Sequence, residues 1–282
     1  MLKDVFGHDN IKKDLLSRIN KLPKILLFIG PDNVGKEYTA LNLIDEIHNG
    51  YLNKGSREHP DVLILKPETK VFKLSLIKEV QDFITESSFE LNSRYVILND
   101  IHLMNKESAN SCLKIFEDTP KNVNFILLAE NTSGVMDTIL SRSIIFNFYP
   151  LNNLSEYYPN LTVIQNAVMN GCIGEYENIK DIDLDKLYNN IFNFISKIKD
   201  ISYSNIIDFC IENKEVNINL TNNLFIIASK ELILKKDDIA LTFLNSCKEF
   251  KSKTALNINL FNHFKFMLIN NKFILENKRL EK

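Results

Sequence analysis

Gly30, Gly35 and Lys36 stand at the spacing of a loop that holds phosphate. The stretch Gly30-Pro31-Asp32-Asn33-Val34-Gly35-Lys36-Glu37 follows a short apolar run and opens a helical pattern. In that setting backbone N–H groups and a helix N-terminus cradle an anion, and the lysine adds a point charge for the β- and γ-phosphates of a nucleoside triphosphate. The GxxxxGK[ST] pattern is met except at its last position, where Glu37 replaces the hydroxyl that would hold Mg²⁺. A carboxylate there faces the charge of the phosphates. A like-charge pair about 4 Å apart repels by roughly 4 kcal/mol at an effective dielectric of about 20, and half of that weakens binding about 30-fold. A carboxylate can also ligate Mg²⁺ directly, so weak binding stays open.

A second element of the same chemistry is also altered. Sites of this kind place Asp and then Glu after a strand, the first to organise Mg²⁺ and the second to polarise the attacking water. Here the run Val96-Ile97-Leu98 ends in Asn99-Asp100. Asn99 lacks the charge, and Asp100 is one methylene shorter than Glu. A misplacement of about 1 Å can cost about 10²-fold in rate. The sequence thus carries two separate defects, and no productive hydrolysis is expected at this site. His102, just beyond, reads as a hydrogen-bonded structural residue. Arg142, within Ser141-Arg142-Ser143 before the last strand signal, has two readings: a solvated surface arginine, or a group reaching across an interface. On residue chemistry alone the surface reading is the simpler.

The elements that must position these residues alternate. Ile11 to Ile19 is amphipathic, Ile25 to Ile29 is a buried strand, and a helix follows the loop to about Asn49. Val62 to Leu65 and Tyr95 to Leu98 read as strands, with a helical face between them over Leu74 to Ile84. Asn105 can cap a helix that stops before Pro120, with Ala109, Cys112, Leu113 and Phe116 on one face. Phe125 to Ala129 and Ile144 to Phe148 complete five strands. Strands separated by helices predict a parallel sheet covered on both faces. Beyond Pro150 strand signals stop. Helices are expected at about 185–198, 202–213, 221–236, 238–251 and 258–270.

The 282-residue length suits two or three domains, and 45% hydrophobic with 25% charged residues is ordinary for globular protein. The net charge of −2 carries no basic excess, so stand-alone nucleic-acid binding is not expected. Cys112, Cys172, Cys210 and Cys247 form neither a CxxC zinc spacing nor a disulfide framework. No apolar leader or membrane-length run is present, and a reduced cytoplasmic location is expected.

Several motifs converge on one family. Lys106 to Pro120, KESANSCLKIFEDTP, resembles the helix near EAANALLKTLEEPP in bacterial clamp-loader subunits, with Ala109, Asn110, Leu113, Lys114, Glu117 and Pro120 matching as they stand. His59-Pro60-Asp61 matches the element opening their second strand. Phe6-Gly7-His8 resembles their N-terminal F-x-x-x-G-Q element, with His8 for Gln, and Ser141-Arg142-Ser143 their Ser-Arg-Cys motif, with Ser143 for Cys. The chain is therefore similar to the DNA polymerase III clamp-loader subunits of the AAA+ class over residues 1 to about 150. The resemblance implies an α/β AAA+ domain with a parallel five-stranded sheet at 1–150, a short helical lid at 151–180 and an all-α collar for oligomerisation at 181–282. It implies a hetero-pentamer with tau/gamma and delta subunits that uses ATP to place the sliding clamp on primer–template DNA. Arg142 would then be an arginine finger acting in trans on the ATP of an adjacent subunit.

Departures from the pattern sort the type. Glu37, Asn99 and Asp100 suit the delta-prime type, which tolerates decay of its own site, better than an active tau/gamma ATPase, which remains the alternative. Gly30, Gly35 and Lys36 would be a degenerate phosphate loop. No cofactor of its own is expected, ATP and Mg²⁺ being bound by neighbours. Residues 49–58 lack the cysteines of the relatives' zinc module, so neither zinc nor another metal is expected. Gly171-Cys172-Ile173-Gly174 resembles the lid turn, but Glu175 replaces the arginine that senses nucleotide.

Overall fold

The computed structural model describes residues 1–50, 59–67, 71–213, 216–235, 238–253 and 259–277. Most of the 49–58 stretch, on which the zinc expectation rests, lies outside them. The chain divides into two compact units: Met1–Pro159 with Asn170–Tyr176, and Asn160–Met169 with Glu177–Lys282.

In the first unit, helix α1 (Asp9–Arg18) precedes strand β1 (Ile25–Ile29), and α2 (Lys36–Ile47) follows the glycine loop. Then come β2 (Val62–Leu65), α3 (Leu74–Thr85), β3 (Arg94–Leu98), α4 (Lys106–Asp118), β4 (Val123–Ala129), α5 (Asp137–Leu140) and β5 (Ile144–Asn147). The strands form one five-stranded sheet in the order β2-β3-β4-β1-β5, every pairing parallel. All of β1 is buried, because alternate residues enter different cores. Ile25, Leu27 and Ile29 join a cluster with Ile77, Val80, Cys112 and Phe116 from α3 and α4. Leu26 and Phe28 join another with Leu15, Ala40, Leu43 and Ile44 from α1 and α2. A two-residue period buried on both faces is what helix-covered parallel strands require.

α4 shows how local sequence fixes a boundary. The Asn105 side chain accepts a hydrogen bond from Ser108 N at 2.8 Å, an N-cap that satisfies a donor the helix leaves open. At the other end Thr119 turns extended (φ −72°, ψ 140°), the region imposed on a residue that precedes proline.

The second unit is helical. It holds α6 (Val163–Met169), the end of α7 (Glu175–Ile179), α8 (Leu184–Lys197), α9 (Tyr203–Glu212), α10 (Ile218–Leu234), α11 (Asp238–Lys253) and α12 (Leu260–Asn277). Phe225 centres its core, with the rings of Phe264, Phe194, Phe209 and Phe243 at 5.6 to 6.0 Å. Among the described residues no helix is long and apolar enough to cross a membrane.

Candidate functional site

The glycine loop sits at the C-terminal end of β1, the end of a parallel strand where open α/β sheets place their ligands. Gly30 N donates to Ala129 O at 3.1 Å, and a Cβ on Gly30 would meet Phe148 O at 2.5 Å. Only glycine lets the loop leave the sheet so close to the β5 exit. Gly35 stands at φ 104° at the N-cap of α2, in the left-handed region that costs glycine least.

Lys36 is 9% exposed. Its Nζ donates to Pro31 O at 2.8 Å and, at still closer range, to Gly30 O. Burial pushes the ammonium pKa down, against the opposing pull of Asp32, Asp100 and Glu130. The lysine that would reach a phosphate is thus folded onto the carbonyls of its own loop. His8 also reaches this loop. Its Nε2 lies 3.2 Å from Val34 O, which makes that nitrogen the donor, and burial lowers the ring's pKa.

Glu37 and Asn99 touch each other. Asn99 Nδ2 donates to Glu37 Oε2 at 2.9 Å, across 62 residues of sequence. The two departures read from sequence as separate are one bonded pair. Mg²⁺ needs oxygen lone pairs at about 2.0–2.1 Å in octahedral array. Asn99 instead directs an N–H donor at Glu37 Oε2. These residues do not fit a magnesium-bound triphosphate. Among the described residues no group of three or more His, Cys, Asp or Glu side chains is placed to hold a metal ion. A double-mutant cycle with Glu37→Ala and Asn99→Ala should show a coupling of about 1.5 kcal/mol, the range for a hydrogen bond to a charged group. Chemical denaturation of the two single variants and the double variant measures it, and additive losses would mean no such bond.

Asp100 begins a turn at φ 54°, and its carboxylate lies 3.8 Å from Lys66 Nζ. His102 Nδ1 accepts from Glu130 N at 3.3 Å, and a Cβ on Gly134 would meet His102 O at 2.4 Å, so His102 has the structural surroundings expected of it. Arg142 lies in the turn between α5 and β5, with its side chain 44% exposed. It donates to Thr138 O at 3.2 Å and to Glu117 Oε1 at 3.0 Å.

Sequence reasoning passed over Asn33 as a variable loop position. The structure turns it into a contact point: Gly174 N donates to Asn33 O, and Asn33 Nδ2 donates to Glu175 Oε1, each at 2.8 Å. The residue type was the only signal in the sequence, since asparagine tolerates the left-handed region better than most residues, and Asn33 does stand there at φ 59°. Asp61 and Arg94 were missed as a buried ionic pair, 3.6 Å apart. The HPD triplet marked Asp61 without revealing its partner.

Residues 8–152 match the family model described as DNA polymerase III, delta subunit. Among curated proteins, replication factor C subunit 5 of Arabidopsis thaliana is 25% identical over 178 residues, 61% of this chain and 46% of that one. DNA polymerase III subunit delta' of Bacillus subtilis is 29% identical over 96 residues, 34% of this chain and 29% of that one. The chain therefore spans less than half the length of these relatives. A DNA polymerase III, gamma subunit-related protein of Thermotoga maritima shares the fold, with a TM-score of 0.56 at 17% identity over 92% of this chain and 98% of that one.

Proposed function

The chain belongs to the DNA polymerase III, delta subunit family, within the AAA+ clamp loaders, and from that premise we propose that it is a delta-prime-type subunit that hydrolyses no ATP itself. Its place would be in a hetero-pentamer with tau/gamma and delta subunits, helping to load the sliding clamp on primed DNA. ATP and Mg²⁺ would be held by neighbours, and Arg142 would serve the ATP of the adjacent subunit. The bond between Glu37 and Asn99 carries the first half of this reading. It occupies both positions from which an active site of this type would hold its metal. The exposure of Arg142 supports the second half.

Titration of the full chain with ATP, with and without Mg²⁺, should give no saturable binding and no turnover. On mixing with tau/gamma and delta subunits, the chain should co-purify in a stoichiometric complex. Tight magnesium-dependent binding with turnover by the chain alone would replace this reading with that of an active clamp-loader ATPase. Failure to assemble would remove the clamp-loader role.

A further inference from the structure

Residues Asn170–Tyr176 pack with the α/β unit, although the stretches before and after them belong to the helical unit. Their hold on the first unit is specific. Leu151 N donates to Gly171 O at 2.8 Å, and Cys172 is buried in the core that covers Leu26 and Phe28. Gly171 stands at φ +82°, and a Cβ there would meet Pro150 Cβ at 2.6 Å and Leu151 O at 2.7 Å. Gly174 comes close enough to the phosphate loop that a Cβ would lie 3.0 Å from Asn33 O. The two glycines let this peptide lie directly on the tip of the loop.

The polar groups at that tip are engaged by this peptide. The Asn33 carbonyl takes the Gly174 N–H, and the Asn33 amide donates to the Glu175 carboxylate. A loop with a buried lysine behind it and a helix N-terminus beside it favours an anion. Glu175 brings a negative charge from within the chain to the tip of that loop, where it accepts from the Asn33 side chain. An incoming phosphate meets a carboxylate already bonded at the tip, and it meets Glu37 at the other end of the loop.

We propose that Gly171–Glu175 is a strap that holds the phosphate loop shut, with Glu175 as an internal anion bonded through Asn33. The strap is an autoinhibitory contact distinct from the loss of the metal-binding pair. It rests on the reading that the native loop takes no nucleotide, and the test separates the two. Glu37→Thr with Asn99→Asp returns a hydroxyl and a carboxylate to the metal position. Into that background Glu175→Ala removes the anion, and Asn33→Gly cuts the same bond from the other side while keeping the left-handed backbone unstrained. Mg·ATP is titrated into each full-length variant, with thermal melts confirming the fold.

Glu175→Ala should bind Mg·ATP about tenfold or more tightly than the background, as expected for removal of a nearby like charge, and Asn33→Gly, which releases the carboxylate from the tip without removing its charge, should gain less. If neither variant gains over the background, including the case in which none of the three binds, the strap is refuted. Tight binding by the native chain would instead overturn the reading of an empty loop. The strap would then be judged by Glu175→Ala alone, and equal affinity with the native chain would refute it.

Discussion

Replacing Arg142 with alanine should leave the chain folded and the complex assembled, while, on the proposed finger role, DNA- and clamp-stimulated hydrolysis at the one ATP site it would serve falls by about 10³-fold or more. The size follows from what a guanidinium does in phosphoryl transfer. Charge spreads over the equatorial oxygens as the bond to the leaving group loosens, and a planar cation with paired donors stabilises that charge more than the ground state. The structure suits a group that must leave its resting contacts. Arg142 is held at the surface by Glu117 Oε1 and Thr138 O. An exposed ion pair of this kind contributes about 0.2–1 kcal/mol, so a triphosphate reaching Arg142 would displace Glu117 at little cost. For the same reason the variant should lose little stability. The measurement is ATPase of the reconstituted complex with primed DNA and clamp, read as the loss of that one site's share of turnover, beside thermal melting of the chain and size-exclusion of the assembly. Arg142→Lys should not restore the rate, because a point charge lacks the paired donors. Hydrolysis unchanged by Arg142→Ala would remove this residue from the mechanism.

The elements around the site were legible in sequence to the extent that one signal fixed each. β1 and β2 fall where their apolar runs lie: β1 is buried throughout and so apolar on both faces, and β2, at the sheet edge, is buried at Val62 and Leu65 with half-buried residues between. α4 has the cap and the proline stop that Asn105 and Pro120 announce. α10 begins at Ile218 instead of near residue 221, because the Asn217 side chain accepts from Asn219 N and Leu220 N. That cap stands among several polar residues, any of which could have served. The short helices α6 and α7 left too few residues for a 3.6 period to emerge.

The candidate site was legible residue by residue and illegible as an arrangement. Glu37 and Asn99 each carried its own chemical sign, a carboxylate for a hydroxyl and an amide for a carboxylate. Their pairing is long-range, and no local pattern encodes it. Glu175 was visible as a missing arginine. That it reaches Asn33 follows only from the placement of Gly171 and Gly174, whose lack of a Cβ brings the peptide onto the loop.

Asp61→Asn should destabilise the chain by about 3–5 kcal/mol, the cost of removing one partner from a buried ion pair. Asp61 is fully buried and Arg94 is 4% exposed. The Asp61 carboxylate accepts from Phe89 N, Glu90 N and Leu91 N, each at 2.7 Å, with Arg94 Nε at 3.6 Å. Arg94 in turn donates to Phe83 O, to Ser87 O at 2.7 Å and to the Glu86 carboxylate at 3.3 Å. One pair thus ties the end of α3 and the following turn to the start of β3. An asparagine would face three N–H donors with a single acceptor oxygen and leave the buried Arg94 charge with only the exposed Glu86 carboxylate opposite it. Total stability of a domain is about 5–15 kcal/mol, so such a loss takes a large share of it. Burial pushes the Asp61 pKa up, but the three backbone donors and then Arg94 outweigh it, and the net direction is down. A carboxyl depressed on folding contributes stability that is fully present above its unfolded pKa of about 3.9 and is lost as pH falls through the lower folded value. Urea denaturation of the native chain should therefore show stability falling with acid from about pH 4 downward, and Asp61→Asn should flatten the part of that slope due to this group. An unshifted midpoint at neutral pH, or an acid slope identical in the two proteins, would show that the pair does not anchor the turn.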